Sequence, residues 1–334
     1  MKNKKVLSLL SACIITAMSF LSGCAEFYDN SSILKIYEAD ALSQKSAYSL
    51  VVSTKDHELT GFADKLVVVP EEYNDTNESF SCSSAALFCL DDNQTLFAYN
   101  VHEILNPASI TKLMTAYLTV KYGNLNDIVT ITDASTITEI GAMLIGLKPG
   151  DKISLRDLLG YALINSGNDA ASAIAVHISG SVDAFAELMT SEAHKLGATN
   201  TTFKNPHGLT QEGHLTTVYD TYLILKECFK YDTILEFMQM PTYTATYTLA
   251  DGSEKTRTVK HTMRYHTGEA VLNNGLTLLG GKTGTTNAAG HCLSLIVENQ
   301  ADNKHYIAII FKAYTRDDLY TEMQQLLELC VNDK

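Results

Sequence analysis

The sequence predicts an α+β fold in which strands from both ends of one domain build a single antiparallel sheet around an inserted helical region. Three observations predict it. Two short apolar runs at 85–99 flank a turn, three longer strand-like runs fill 276–313, and the stretch between about 125 and 240 carries helical patterning. With 334 residues, 46% of them hydrophobic, the chain can bury a sizeable core.

Taken from the N-terminus, Lys2, Lys4 and Lys5 precede an apolar stretch from Val6 to Leu21. That stretch is too short and wrongly flanked for a membrane span, and it reads as a targeting segment over residues 1–23. It ends in Leu21-Ser22-Gly23-Cys24, which resembles a bacterial lipobox with Cys24 as the lipidation site. The other reading is an ordinary secretory signal with a chance cysteine. The expectation is an extracytoplasmic protein, lipid-anchored to the bacterial cell membrane through Cys24. Residues 24–80 are polar and mixed, with Asn74-Asp75-Thr76-Asn77-Glu78-Ser79 near their end. They read as a tether, with one short strand expected at Leu66–Val69. The folded domain is expected over 81–334.

Within that domain, Ala85–Leu90 and Thr95–Tyr99 are joined by Asp91-Asp92-Asn93-Gln94, a hairpin signal. Pro107 then precedes Ile110, Leu113, Met114, Tyr117 and Leu118, which recur at helical spacing. Ser154 can cap a helix that presents Leu155, Leu158, Leu159 and Leu163, and Gly180 and Gly197 are stops after two more. Tyr243–Leu249 alternates, Asp251-Gly252 turns, and Thr256–Lys260 returns as a second hairpin. Leu276–Thr286, His291–Glu298 and Tyr306–Ala313 read as strands, and a helix closes the chain from about Arg316 to Cys330.

The formal charge is −13, and loss of the three lysines in residues 1–23 makes it more negative. Such a chain repels nucleic acid, and an anionic ligand needs cations of its own. Of seven cysteines, Cys82, Cys89, Cys228, Cys292 and Cys330 lie in the expected domain, with no CxxC spacing. Zinc and dithiol chemistry are therefore poor readings. Cys82 and Cys89 are close enough in sequence to pair, but packed free thiols are the default.

Three motifs carry chemistry. In Ser109-Ile110-Thr111-Lys112 the i, i+3 spacing puts a hydroxyl and an amine on one helix face, near a helix start that favours developing negative charge. A serine attacks only once its proton is removed, and a lysine removes it only when burial or a nearby cation keeps it neutral. In Ser166-Gly167-Asn168, between two helices, Gly167 permits a tight turn that aims a hydroxyl and an amide together. In Lys282-Thr283-Gly284-Thr285, on a strand, a cation and two hydroxyls suit a carboxylate, and Gly284 lets a substrate approach the backbone. Singly, these motifs also fit a solvated helix, a capping turn and a phosphate loop. The last requires glycine at 276, where Leu276 stands, and a helix next, where a strand is expected.

In this order the motifs resemble those of the penicillin-recognising serine acyl-transferases. The nearest resemblance is to low-molecular-mass penicillin-binding proteins of the serine-type D-alanyl-D-alanine carboxypeptidase family. Asn106-Pro107-Ala108, Asn205-Pro206-His207-Gly208-Leu209 and Asn287-Ala288-Ala289-Gly290 add to it, and it runs from about residue 82 to the end. The resemblance implies a β-lactamase/transpeptidase-like fold. It implies Ser109 as nucleophile, Lys112 as its base and Ser166 as proton relay to the leaving amine. Asn168, Lys282, Thr283, Gly284 and Thr285 would bind substrate, and the backbone N–H groups of Ser109 and Thr285 would form the oxyanion hole. The implied substrate is a peptidoglycan stem peptide ending in D-Ala-D-Ala, with β-lactams as covalent inhibitors and neither metal nor cofactor. Some relatives carry histidine where Thr285 stands. The β-rich C-terminal domain and amphipathic tail usual in the family do not follow Lys282, and the lipid on Cys24 is expected to substitute for the tail.

Rival readings are weighed on residues. A class A β-lactamase needs aspartate where Gly167 stands and a later deacylation loop that is not found. A transpeptidase differs only in the acceptor. A zinc carboxypeptidase fails because Asn106 stands where His102-Glu103 would need a second histidine. A non-catalytic lipid-anchored wall-binding protein is disfavoured by intact Ser109, Lys112, Ser166 and Lys282.

Overall fold

The computed structural model describes residues 66–69 and 80–332. The targeting segment, Cys24 and most of the expected tether lie outside the described residues.

The first hairpin forms where expected, as β1 (Ser84–Cys89) and β2 (Gln94–Tyr99). The late strands are β7 (Leu276–Thr286), β8 (Gly290–Asn299) and β9 (His305–Ala313). Together they build one five-stranded antiparallel sheet in the order β2-β1-β9-β8-β7. The join between the two ends of the domain is the β1–β9 ladder, with Ala86 opposite Ile309. β1 is buried along its whole length, which is why it reads as an unbroken apolar run rather than an alternating one. Ala86 and Phe88 face the helical region, while Ala85, Leu87 and Cys89 pack with Leu319, Met323, Leu326 and Leu327 of α8 (Arg316–Asn332). The sheet is thus the middle of three layers.

The helical insert contains α1 (Lys112–Tyr122), α2 (Leu155–Ile164), α3 (Asn168–Ser179), α4 (Val182–Lys195), α5 (Val218–Cys228), α6 (Asp232–Gln239) and the single turn α7 (Arg264–Thr267). Local chemistry sets their ends. Ser154 caps α2 by accepting from the Asp157 N–H, Ser181 caps α4 and Thr217 caps α5 in the same way. Gly180 ends α3 in the left-handed conformation, at φ 80°.

Two features depart from the sequence reading. The second hairpin, β5 (Thr242–Thr248) and β6 (Glu254–Lys260), does not stand alone. It joins β3 (Ile128–Thr130) and β4 (Lys152–Ser154) in a separate four-stranded sheet, ordered β3-β4-β5-β6. Three-residue strands are too short to show a period, so β3 and β4 left no signal.

Leu66–Val69 is the second departure. It is not a strand, and it is docked on the domain rather than part of a free tether. Val67 and Val69 are buried, the Val67 N–H donates to the Tyr222 hydroxyl at 3.0 Å, and the Tyr219 hydroxyl donates to the Val67 carbonyl at 2.6 Å. The Val67 backbone groups are satisfied by tyrosines of α5 and the Val69 carbonyl by His102 Nε2 at 3.1 Å, so no neighbouring strand is needed. The five described cysteines are free and buried, Cys82 and Cys89 among them.

Candidate active site

The chain leaves β2 and reaches Ser109 through a 3-10 turn, Ala108–Thr111, that runs straight into α1. This turn is strained. Ala108 sits at φ 46°, in the left-handed region where a side chain costs roughly 1–2 kcal/mol. Two close approaches hold it. Gly208, at φ 87°, presses so near that a Cβ there would lie 1.8 Å from the Ala108 carbonyl oxygen. On the other side a Cβ at Gly284 would lie 3.1 Å from the Ala108 Cβ, the Pro107 oxygen and the Ser109 nitrogen. Gly284 therefore lets β7 lie tightly against the Ser109 turn, besides letting substrate reach the backbone as expected from sequence.

Lys112 is fully buried. Its Nζ lies 3.0 Å from Ser109 Oγ, 2.7 Å from Asn168 Oδ1 and 2.6 Å from the His207 carbonyl, so a neutral amine can donate to the last two and keep its lone pair for the hydroxyl. The His207 carbonyl is aimed there by a local turn in which Asn205 Oδ1 accepts from the His207 and Gly208 N–H groups. Burial pushes the Lys112 amine well below the lysine range. The Lys282 charge adds to this, and Asp169 opposes it. An amine pressed below its ordinary range and 3.0 Å from Ser109 Oγ is positioned to act as a base for that hydroxyl.

The Ser166-Gly167-Asn168 turn joins α2 to α3. Ser166 takes φ 61°, and a Cβ at Gly167 would lie 2.8 Å from Ile145 Cγ1. Ser166 Oγ accepts from Lys282 Nζ at 3.1 Å. Asn168 spends its amide oxygen on Lys112, so its expected contact with substrate is not its main engagement in this state.

Lys282 also differs from the sequence reading. It has no exposed surface, and its Nζ donates to Ser166 Oγ and to the Thr283 carbonyl at 3.0 Å. Its amine sits against Ser166, which lines the cleft. The cleft, of about 470 Å³, is lined by Ser109, Ser166, Asn168, Thr283, Gly284 and Thr285, and also by Gly141–Met143, Leu209 and Arg316. Arg316, exposed at the start of α8, is the cation available to an anionic ligand beside Thr283. Its guanidinium is steered there by a 2.9 Å bond to the Thr262 carbonyl, and Thr262 and Thr283 join hydroxyls at 2.6 Å. The sequence marked Arg316 only as a helix start, because it lies on a different element from the motif it serves.

Two buried imidazoles support the nucleophile turn. His214 Nδ1 accepts from the Lys204 N–H at 3.0 Å, which leaves the proton on Nε2, 2.8 Å from Thr111 Oγ1. Burial pushes His214 down to about 4 and His207 well below the usual histidine range, so both are neutral near pH 7. Among the described residues no cluster of metal-ligating side chains occurs.

The same backbone arrangement occurs in solved structures. The Streptomyces K15 DD-transpeptidase matches with a TM-score of 0.69 at 24% identity, over 76% of this chain and 98% of that one. Penicillin-binding protein D2 of Listeria monocytogenes, in its cefotaxime-bound form, matches with a TM-score of 0.64 at 26% identity, over 77% and 100%. The fold is that of the DD-transpeptidases and penicillin-binding proteins. A family model described as D-alanyl-D-alanine carboxypeptidase matches residues 72–315, and the chain belongs to this peptidase S11 family. Relatives include D-alanyl-D-alanine carboxypeptidase DacF of Bacillus subtilis, 33% identical over 250 residues, 73% of this chain and 61% of that protein. DacC of Escherichia coli is 32% identical over 264 residues, 75% and 62%. The chain spans about three fifths of the length of these curated relatives.

Burial of Lys282 has a thermodynamic signature. It depresses the amine from its ordinary 10.5 to about 7. Between these values the unfolded chain holds a proton that the folded chain has released, so this group's contribution to stability rises with pH across that window. Relative to Lys282→Met, the parent should therefore gain up to about 1.4 kcal/mol per pH unit from about pH 7 to about pH 10, measured by urea unfolding. A difference that stays flat over the window would show that Lys282 is charged in the fold.

Proposed function

We propose that this protein is a serine-type D-Ala-D-Ala carboxypeptidase that removes the terminal D-alanine from peptidoglycan stem peptides through an acyl-enzyme on Ser109. The observation that carries the reading is the buried Lys112 amine, 3.0 Å from Ser109 Oγ and depressed by burial.

Neutral Lys112 takes the Ser109 proton as Oγ attacks the penultimate carbonyl carbon. The oxyanion that forms is held by the backbone N–H groups of Ser109 and Thr285, each such donor being worth about 2.7–4 kcal/mol of barrier. Ser166, bonded to Lys282, passes a proton to the departing D-alanine nitrogen, and the C–N bond breaks. Water then attacks the Ser109 ester, freeing the shortened peptide and restoring the hydroxyl. The terminal carboxylate of the substrate sits against the Thr283 and Thr285 hydroxyls and Arg316, in a site where Lys282 acts on the proton path. A penicillin presents a similar carboxylate and a reactive amide, and acylates the same serine.

The enzyme is placed outside the cytoplasm, with residues 1–23 as a signal, a lipid on Cys24 and a tether leading to the domain. Lys2, Lys4 and Lys5, the apolar run and Leu21-Ser22-Gly23-Cys24 support this. Sequencing the mature protein from membranes should find Cys24 as its first residue, modified. An unmodified mature start elsewhere would refute the anchor.

Ser109→Ala should abolish both labelling by a fluorescent penicillin and release of D-alanine from a pentapeptide, with the fold retained. Labelling of any other residue would overturn the assignment. Arg316→Ala should lower kcat/KM for peptides with a free terminal carboxylate by about 1.5–3 kcal/mol, the range for a hydrogen bond to a charged group. Peptides ending in a carboxamide should lose far less. Equal losses would move carboxylate recognition back to Lys282.

A further inference from the structure

Asp169 follows the Ser166-Gly167-Asn168 turn and plays no part in the chemistry above. It is 6% exposed, yet every contact it makes is to backbone N–H groups. Oδ1 accepts from Ile145 at 2.9 Å and Ala170 at 3.0 Å, and Oδ2 accepts from Gly146 at 2.7 Å and Leu147 at 3.1 Å. One residue away, the Asn168 N–H donates to the Met143 carbonyl at 2.8 Å. Ile145, fully buried, packs on Gly167. The segment 143–147 is therefore fastened to the turn and the start of α3 by four hydrogen bonds and one apolar contact, and Gly141–Met143, at its leading end, form a wall of the cleft.

We propose that Asp169 is a positioning residue for acylation: its carboxylate clamps segment 143–147, and with it the Gly141–Met143 wall, onto the turn that carries Ser166 and Asn168. This rests on the acyl-enzyme reading of Ser109. Three N–H groups converge from consecutive residues, Ile145 to Leu147, with Gly146 at φ 83°. Only an acceptor with two oxygens and no hydrogen satisfies all of them, because an amide in its place turns an NH₂ toward at least one N–H. The charged and titratable groups that face Lys112 are Lys282 on β7, Asp169 on α3 and the imidazoles of His207 and His214. Both imidazoles are neutral, so Asp169 opposes the Lys282 charge. Its field holds the Lys112 amine higher than burial and Lys282 would leave it.

The test uses the full chain and a fluorescent penicillin, with the second-order rate of Ser109 acylation followed against pH. Asp169→Asn should acylate about 10–100-fold more slowly at its best pH. Its acid limb should move to lower pH, since Lys112 without its anion gives up its proton more readily. Limited chymotrypsin digestion should cut faster near Met143 and Leu147. Gly167→Ala, whose Cβ meets Ile145, disturbs the same segment and keeps the charge, so it should slow acylation with the acid limb unmoved. An Asp169→Asn enzyme within twofold of the parent, or slower with unchanged cleavage near Met143 and Leu147, overturns the proposal. Should that variant not fold, parent-like acylation by Gly167→Ala overturns it instead. A parent that takes no label on Ser109 refutes the acyl-enzyme reading itself, which is a separate result.

Discussion

Two ammonium-bearing side chains are driven into one dry site, and most of the local structure answers that constraint. Lys112 and Lys282 are both fully buried. A buried cation without partners costs many kcal/mol, so either acceptors are built around it or it sheds its proton. Here both happen. Lys112 has three oxygen partners drawn from three separate stretches of chain, and Lys282 has two. To supply them the backbone adopts unfavourable conformations at Ala108 and Ser166, and two glycines, Gly208 and Gly284, admit chains that a side chain would push apart. The Lys112 amine, pressed below its normal range, follows from that enclosure.

The cations around the cleft divide by burial into two kinds. Lys112 and Lys282 are shielded from solvent and sit on hydroxyls, where a mobile proton is useful. Arg316 is exposed, cannot lose its proton, and stands at the cleft's edge beside Thr283. In a chain with a formal charge of −13 this local arrangement, rather than the overall field, is what an anion would meet.

Much of this was legible in the sequence. The hairpin at 84–99, the three late strands, the closing helix and the caps at Ser154 and Gly180 fall where period and capping chemistry place them. The three motifs named the residue types that meet around Ser109. What they could not give was direction. Lys282 shares a motif with Thr283 and Thr285, and strand alternation alone would put it opposite Thr283, but only the packing of Ser166 decides that its amine turns inward. Arg316 and Asp169 act across elements, and no spacing rule connects them to Ser109. Gly284 reads as a place for substrate, and its closeness to Pro107 and Ser109 exists only once β7 has docked. Leu66–Val69 looked like a strand because it is apolar, and it is held by two tyrosines some 150 residues away in sequence.

The sheet that frames the cleft is split in the sequence: β1 and β2 come first, and β7 to β9 arrive after the entire helical insert. During synthesis, Ser109 and Lys112 therefore emerge long before the strand that lies against them. Closing so large a loop is slow, and the transition must bring distant segments together before their contacts stabilise the product. A nascent chain lacking β7 holds Ser109 and Lys112 but neither Thr285 nor the Lys282 that shares in setting Lys112. The cleft that Ser109 shares with Thr283, Gly284 and Thr285 is then complete only once β7 is in place, so topology itself delays the site until folding is nearly finished.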